Sequence, residues 1–194
     1  MRMERRHAYY RAEFKTRAEG DNDSNLYIEG YFAVFNQETE LCPGFSEKIA
    51  PGAFDNSLLN NDIRCLFNHN TDVVLGRTGN GTLKLSVDER GLWGSVKINK
   101  DDKQAMDIYA RVERGDIDGC SFGFFPVEEE FVNNPDGSVI STVIEADTME
   151  VSVVTFPAYP QTEISAAQRS YDASRKETRA QRIRKLKEKM EKKK

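Results

Sequence analysis

No stretch of this chain approaches the roughly 20 consecutive apolar residues that a membrane-spanning helix needs, so the sequence holds no helical span. Residues 1–17 are charged and lack the apolar core of a secretory signal, which gives the expectation of a protein made and used in a cytoplasm, with no membrane partner. Histidine is scarce, with two residues, and no C-x-x-C pair occurs. Ligand candidates at zinc-site spacing are therefore too few, and neither a metal nor a cofactor is expected. Cysteine is also sparse and odd in number: Cys42, Cys65 and Cys120 lie in or beside apolar runs, the pattern of reduced, buried thiols and not of a disulfide framework.

What is present suffices for one core. A hydrophobic fraction of 38% over 194 residues supports a single substantial domain but not two large ones. Residues 1–25 are polar, and Gly20-Asp21-Asn22-Asp23-Ser24 is turn-rich, so a flexible N-terminal arm is expected, followed by a folded domain over 26–165. From Arg175 to Lys194 nearly every second residue is Lys or Arg, although the whole chain carries a net charge of −4. The segment 166–194 thus reads as a basic tail, helical or disordered, on an acidic body. Such a tail suits a nucleic-acid contact, an acidic protein partner or a solvated helix.

Within the domain the pattern is mostly that of strands. Leu26 to Phe35 is rich in aromatic residues and reads as a strand buried on both faces for much of its length. Pro51-Gly52-Ala53-Phe54 starts a short helix. Ile63 to His69 reads as a strand with Ile63, Cys65, Phe67 and His69 on one face. Thr82 to Val87 and Leu92 to Ile98 form a hairpin across Asp88-Glu89-Arg90-Gly91. A helix follows from about Asp102 to Arg114, capped by Asp101 at its start and Gly115 at its end, with Ala105, Ile108, Tyr109 and Val112 on its packed face. Strands resume at Ile117 to Val127, at Val139 to Glu145 beyond a turn at Asn133 to Gly137, and at Met149 to Thr155. Mainly β with a few helices (α+β) is the expected class, and closure into a barrel flanked by helices removes exposed edges.

Three residues are candidates for chemistry. In Gly119-Cys120-Ser121-Phe122-Gly123-Phe124, strand alternation puts Gly119, Ser121 and Gly123 on one face and Cys120, Phe122 and Phe124 on the other. Ser121 is sterically open, as suits either a nucleophile approached by a substrate backbone or a close-packing position. Serine needs a neighbouring base. His69 is the histidine inside the expected domain, because His7 falls in the arm. Orienting the imidazole calls for an acceptor, for which Glu150 is preferred and Asp72, Asp118 and Asp147 compete. Cys120 offers a competing thiol nucleophile.

The segments Glu47-Lys48-Ile49-Ala50-Pro51-Gly52-Ala53-Phe54, Leu66-Phe67-Asn68-His69-Asn70 with Leu75-Gly76-Arg77, Gly119-Cys120-Ser121-Phe122-Gly123-Phe124, and Glu150 to Pro160 together resemble the prohead proteases of tailed bacteriophages. The resemblance covers roughly residues 26 to 165. It implies a capsid-maturation serine endopeptidase with Ser121 as nucleophile, His69 as base and Glu150 as third member. It also implies a fold similar to that of the herpesvirus assembly proteases. The implied substrate is the scaffolding segment of the major capsid protein precursor, cleaved inside the immature capsid (prohead) in the host cytoplasm, together with the enzyme's own ends. A homo-oligomer is expected on the same ground. Arg77 is offered either as a cationic contributor to catalysis or as a surface ion-pair residue. Two other readings stand beside this one: a cysteine protease using Cys120, and a non-catalytic, scaffold-binding assembly factor.

Overall fold

Strand alternation around Ser121 organises the fold, because it gives one strand two faces of opposite character. In the computed structural model the described residues are 5–19, 25–156, 170–172 and 184. In chain order the elements are β1 (Arg6–Arg11), β2 (Lys15–Glu19), β3 (Asn25–Val34), β4 (Thr39–Cys42), β5 (Phe45–Ile49), α1 (Asp55–Asn60), β6 (Arg64–Phe67), β7 (Asn70–Arg77), β8 (Leu83–Val87), β9 (Gly91–Ile98), α2 (Lys103–Arg114), β10 (Gly119–Asn133) and β11 (Val139–Val154). The mainly β class with few helices is as expected. Among the described residues no helix is long and apolar enough to cross a membrane.

Two sheets form. The larger has the order β1-β10-β11-β5-β4, with β6 also on β11 and β7 on β6; the smaller is β2-β3-β9-β8. The outer edge of β11 is divided. Val139–Val143 pairs with β5, and Glu150–Val153 with β6, both in parallel. The core face of β10 lies against β3, where Cys120 Sγ approaches the carbonyl oxygen of Tyr31 at 3.3 Å. Phe122 packs edge-on to Phe54 with ring centroids 5.1 Å apart. Each such fully buried side chain contributes about 1.5–3 kcal/mol from burial.

The expected closed barrel is not found. Among the described residues the two sheets stay separate, and their edges are managed by other means. β4 is only four residues long, and β2 carries Lys15, Arg17 and Glu19 along its length. Short or charged edges resist pairing with another chain without closure.

Further expectations are corrected in detail. The presumed flexible arm, 1–25, instead supplies β1 and β2, with β1 antiparallel to β10 from Arg6↔Phe124 to Arg11↔Gly119. Tyr9 and Tyr10 carry the β propensity, which the surrounding charge conceals. The α2 cap is Asp102, not Asp101: its carboxylate accepts from the backbone N–H of Gln104 and Ala105. Gly115 closes the helix in the left-handed region, at φ 84°. The helix face of Ala105, Ile108, Tyr109 and Val112 is buried as expected. The strands expected at Val139 to Glu145 and Met149 to Thr155 are one strand, β11. The end of the expected domain, 157–165, lies outside the described residues. So does most of the basic tail, 166–194, of which residues 170–172 and 184 are helical.

β1 is pinned by a buried ion cluster. Arg6 donates to Glu47 on β5 at 3.0 Å and to both carboxylate oxygens of Glu129 on β10 at 2.6 and 2.8 Å. All three side chains are nearly inaccessible. Removing one member of a buried set leaves uncompensated charge and costs about 3–5 kcal/mol. Arg6→Ala should therefore lower the urea midpoint by about that equivalent, whereas Arg114→Ala, which breaks an exposed pair with Asp116, should cost about 0.5 kcal/mol or less. Equal shifts in the two variants would contradict a structural role for β1.

Candidate active site

The face of β10 opposite the core carries the candidate chemistry. Antiparallel partners directly opposite each other share a face, so the register sets Tyr9, Ser121 and Ser152 in one row and His7, Gly123 and Glu150 in the next. Beyond β11, Arg64 and Leu66 of β6 continue these rows. Cys120, Phe122, Val151 and Val153 face the core instead.

A bulge aims Glu150 at this face. Gly123 pairs with Glu150 but Phe124 pairs with Thr148, leaving Met149 as the extra residue. In a regular strand Thr148 and Glu150, two positions apart, would point the same way. The bulge lets Thr148 face the core while Glu150 faces the site, a common use of an inserted strand residue.

His69 reaches the same face by a turn, and not by the strand alternation expected of it. Asn68 and His69 both adopt left-handed backbone, φ 50° and 58°. This conformation is disfavoured for side chains other than glycine by roughly 1–2 kcal/mol per residue. Asn68 holds the turn to the end of β11: its backbone N–H donates to the carbonyl of Val153 at 3.0 Å, and its side-chain oxygen accepts from the Thr155 N–H at 2.8 Å. The imidazole thereby leaves the Cys65 face and lies over Glu150, with Nδ1 2.7 Å from Oε1.

Glu150 is the hub of the site. Its Oε1 also accepts from Arg5 Nη2 at 2.9 Å and lies 3.6 Å from His7 Nε2, and Oε2 accepts from the Ser152 hydroxyl at 2.6 Å. Burial alone would push this carboxyl up, but the hydrogen bond and charge of His69, the Ser152 bond and the charge on His7 hold it below the ordinary glutamate range. Gly123 leaves room beneath it: a methyl group there would collide with Glu150 Oε1 and lie 2.7 Å from Arg5 Nη2, so both side chains would have to shift.

Ser121 has no exposed surface. Its Oγ and His69 Nε2 are both buried and have no hydrogen-bond partner among the described residues. The His69 ring lies 4.1 Å from that of His7 and 5.4 Å from that of Tyr9, measured between centroids. His7↔Gly123 and Tyr9↔Ser121 are the register pairs, so the imidazole sits over the strand rows that contain Ser121. A hydroxyl, an imidazole and a carboxylate in this order form the donor set of acyl-transfer sites.

The competing candidates lie elsewhere. Cys120 is fully buried on the core face, and loss of solvent pushes its thiol well up, which leaves it without thiolate character. Asp118 forms an exposed pair with Arg11, Asp147 accepts from Asn61 Nδ2 at 2.7 Å, and Asp72 is exposed. Arg77 donates from Nε to both oxygens of Asp62 at 2.9 and 2.7 Å at the surface, as an ion-pair residue would. Sequence reasoning missed Arg5, His7 and Tyr9 because it set 1–25 outside the fold. The alternation of His7, Tyr9 and Arg11 with Ala8 and Tyr10 was the available signal.

Residues 12–177 match a family described as caudovirus prohead serine protease. The chain is 31% identical over 150 residues to the prohead protease of Enterobacteria phage HK97, across 76% of this chain and 62% of that relative, so it spans about 62% of the relative's length. Among solved structures, the bacteriophage T4 capsid assembly protease superposes with a TM-score of 0.50 at 11% identity, over 78% of this chain and 98% of that one. At that identity the likeness concerns the fold alone.

The lowered Glu150 carboxyl has a consequence for stability. A depressed folded-state pKa stabilises above the ordinary glutamate value of 4.5, and that contribution is lost as pH falls through the folded value. Urea midpoints measured against pH should show less acid loss in Glu150→Gln than in the wild type below that ordinary value. Parallel curves would contradict the pairing described.

Proposed function

The chain belongs to the caudovirus prohead serine protease family, and on that footing we propose that it is a capsid-maturation endopeptidase. Its substrate is the scaffolding segment of the major capsid protein precursor, and its own ends are cut as well. The name of the HK97 relative, a prohead protease, supports the process. The observation that carries the reading is the His69–Glu150 pair at 2.7 Å, set over the rows where the Ser121 hydroxyl lies between glycines.

In this reading Ser121 is the nucleophile, His69 the base and Glu150 the group that orients the base. Glu150 accepts from Nδ1–H, which fixes the tautomer with its lone pair on Nε2 and stabilises the imidazolium as it forms. Ser121 Oγ attacks the scissile carbonyl carbon while Nε2 takes its proton. The tetrahedral intermediate collapses as the C–N bond breaks and Nε2 returns the proton to the leaving amine. Water, activated by the same nitrogen, then releases the acyl group. His7 stands 3.6 Å from the carboxylate, beyond the reach of an orienting hydrogen bond, so His69 is the better base.

Because Ser121 is fully covered, substrate entry requires movement of the side chains over its row, which Tyr9 shares. Likeness of fold to the herpesvirus assembly proteases, action inside the immature shell in the host cell, self-association, and a role for the segment after Ser165 in packaging belong to the same proposal. A contact of the basic tail with nucleic acid is a minor part of it.

Co-expression with the capsid precursor, reading both masses, is the test. The wild type should shorten the precursor, and Ser121→Ala and His69→Ala should leave it intact, reflecting losses of about 10⁴-fold or more. Equal shortening in all three, or intact precursor in assembled wild-type shells, would overturn the assignment and favour a non-catalytic assembly factor.

A further inference from the structure

One donor atom from each of His7, His69 and Glu150 lies within 4.8 Å of the other two. The pair of histidines judged too few for a metal site is brought together by β1, which lies before the start of the family match at residue 12. We propose that His7, His69 and Glu150 form a site for a late first-row divalent cation, Zn²⁺ above all, and that the bound ion holds the hydrolytic centre inactive.

The donor set suits such an ion. Two imidazoles and one carboxylate are borderline nitrogen and oxygen ligands, and three protein ligands with a fourth position open is a familiar zinc arrangement. Zinc bonds of about 2.0–2.1 Å place tetrahedral ligands about 3.3 Å apart. The separations of Glu150 Oε1 from His69 Nδ1, 2.7 Å, and from His7 Nε2, 3.6 Å, bracket that spacing, so small side-chain adjustments suffice. Arg5 is the internal competitor, since its guanidinium sits 2.9 Å from the same oxygen, but its side chain is 36% exposed and able to swing into solvent. Ser152 holds the other oxygen and leaves Oε1 to the ion.

The effect on chemistry follows from the proton on His69. A cation on Nδ1 takes the lone pair there, and the single proton of the neutral ring resides on Nε2. That nitrogen then donates, and cannot accept the Ser121 proton. This second half rests on the protease reading; the binding site itself does not.

The test uses the untagged full chain carrying Ser121→Ala, which removes self-cleavage and keeps every donor. Titration with CoCl₂, followed by visible ligand-field absorption, should show one tetrahedral ion per chain that ZnCl₂ displaces. Affinity should fall about ten-fold or more in His7→Gln and rise in Arg5→Gln, a variant at an exposed position. No ligand-field band, a thiolate charge-transfer band, or unchanged affinity in both variants would overturn the site. Wild-type cleavage of the precursor should stop with ZnCl₂ and return with a chelator. Cleavage that persists with the ion bound would overturn the inactivation, while intact cobalt binding with no cleavage under any condition would count against the protease reading and support the site.

Discussion

The carboxylate of Glu150 is buried, and the site is built around the need to pair it. Removing a carboxylate from water costs several kcal/mol unless partners replace the lost solvation. Here they come from β1, from the turn after β6 and from β11 itself. Arg5 and His69, both remote in sequence, and Ser152, two residues along the same strand, converge on two oxygen atoms. The bulge at Met149, the left-handed pair Asn68-His69 and the missing side chain at Gly123 are local departures from regular structure that permit this convergence. Each is costly or tolerated only in context, and all three surround one carboxylate.

The strand that carries Ser121 reconciles two demands by alternation. One face supplies Cys120, Phe122 and Phe124 to the core, where close packing fixes the backbone. That rigidity is what allows the other face to present a hydroxyl at a defined place. The same alternation separates adjacent nucleophile candidates: Cys120 is desolvated among carbonyl oxygens of β1 and β3, and Ser121 lies in a polar row with Tyr9 and Ser152. Strand phase alone therefore decides which of the two side chains faces the Glu150 row.

Much of this was legible in the sequence where the signal is local. The packed face of α2, its glycine cap, the hairpin over Asp88 to Gly91 and the two faces around Ser121 follow from periodicities of 3.6 and 2. What was hidden depends on contacts between distant segments. The charge of 1–19 masks two strands because Arg6 satisfies its charge against Glu47 and Glu129, more than forty positions away. His69 changes face because Asn68 is tied to Val153 and Thr155. One bulge residue, Met149, interrupts the alternation of what is a single strand, and the outer edge of β11 is shared between β5 and β6. The family resemblance selected Ser121, His69 and Glu150, whereas the arrangement that joins His69 to Glu150 emerged only with the fold.

The most direct measurement of the central claim is covalent trapping. The full chain is treated with a fluorophosphonate and its peptides are mapped by mass. The account predicts a single phosphonylated residue, Ser121, and loss of that label in His69→Ala. A label on another residue, or equal labelling of Ser121 without the His69 imidazole, would contradict it.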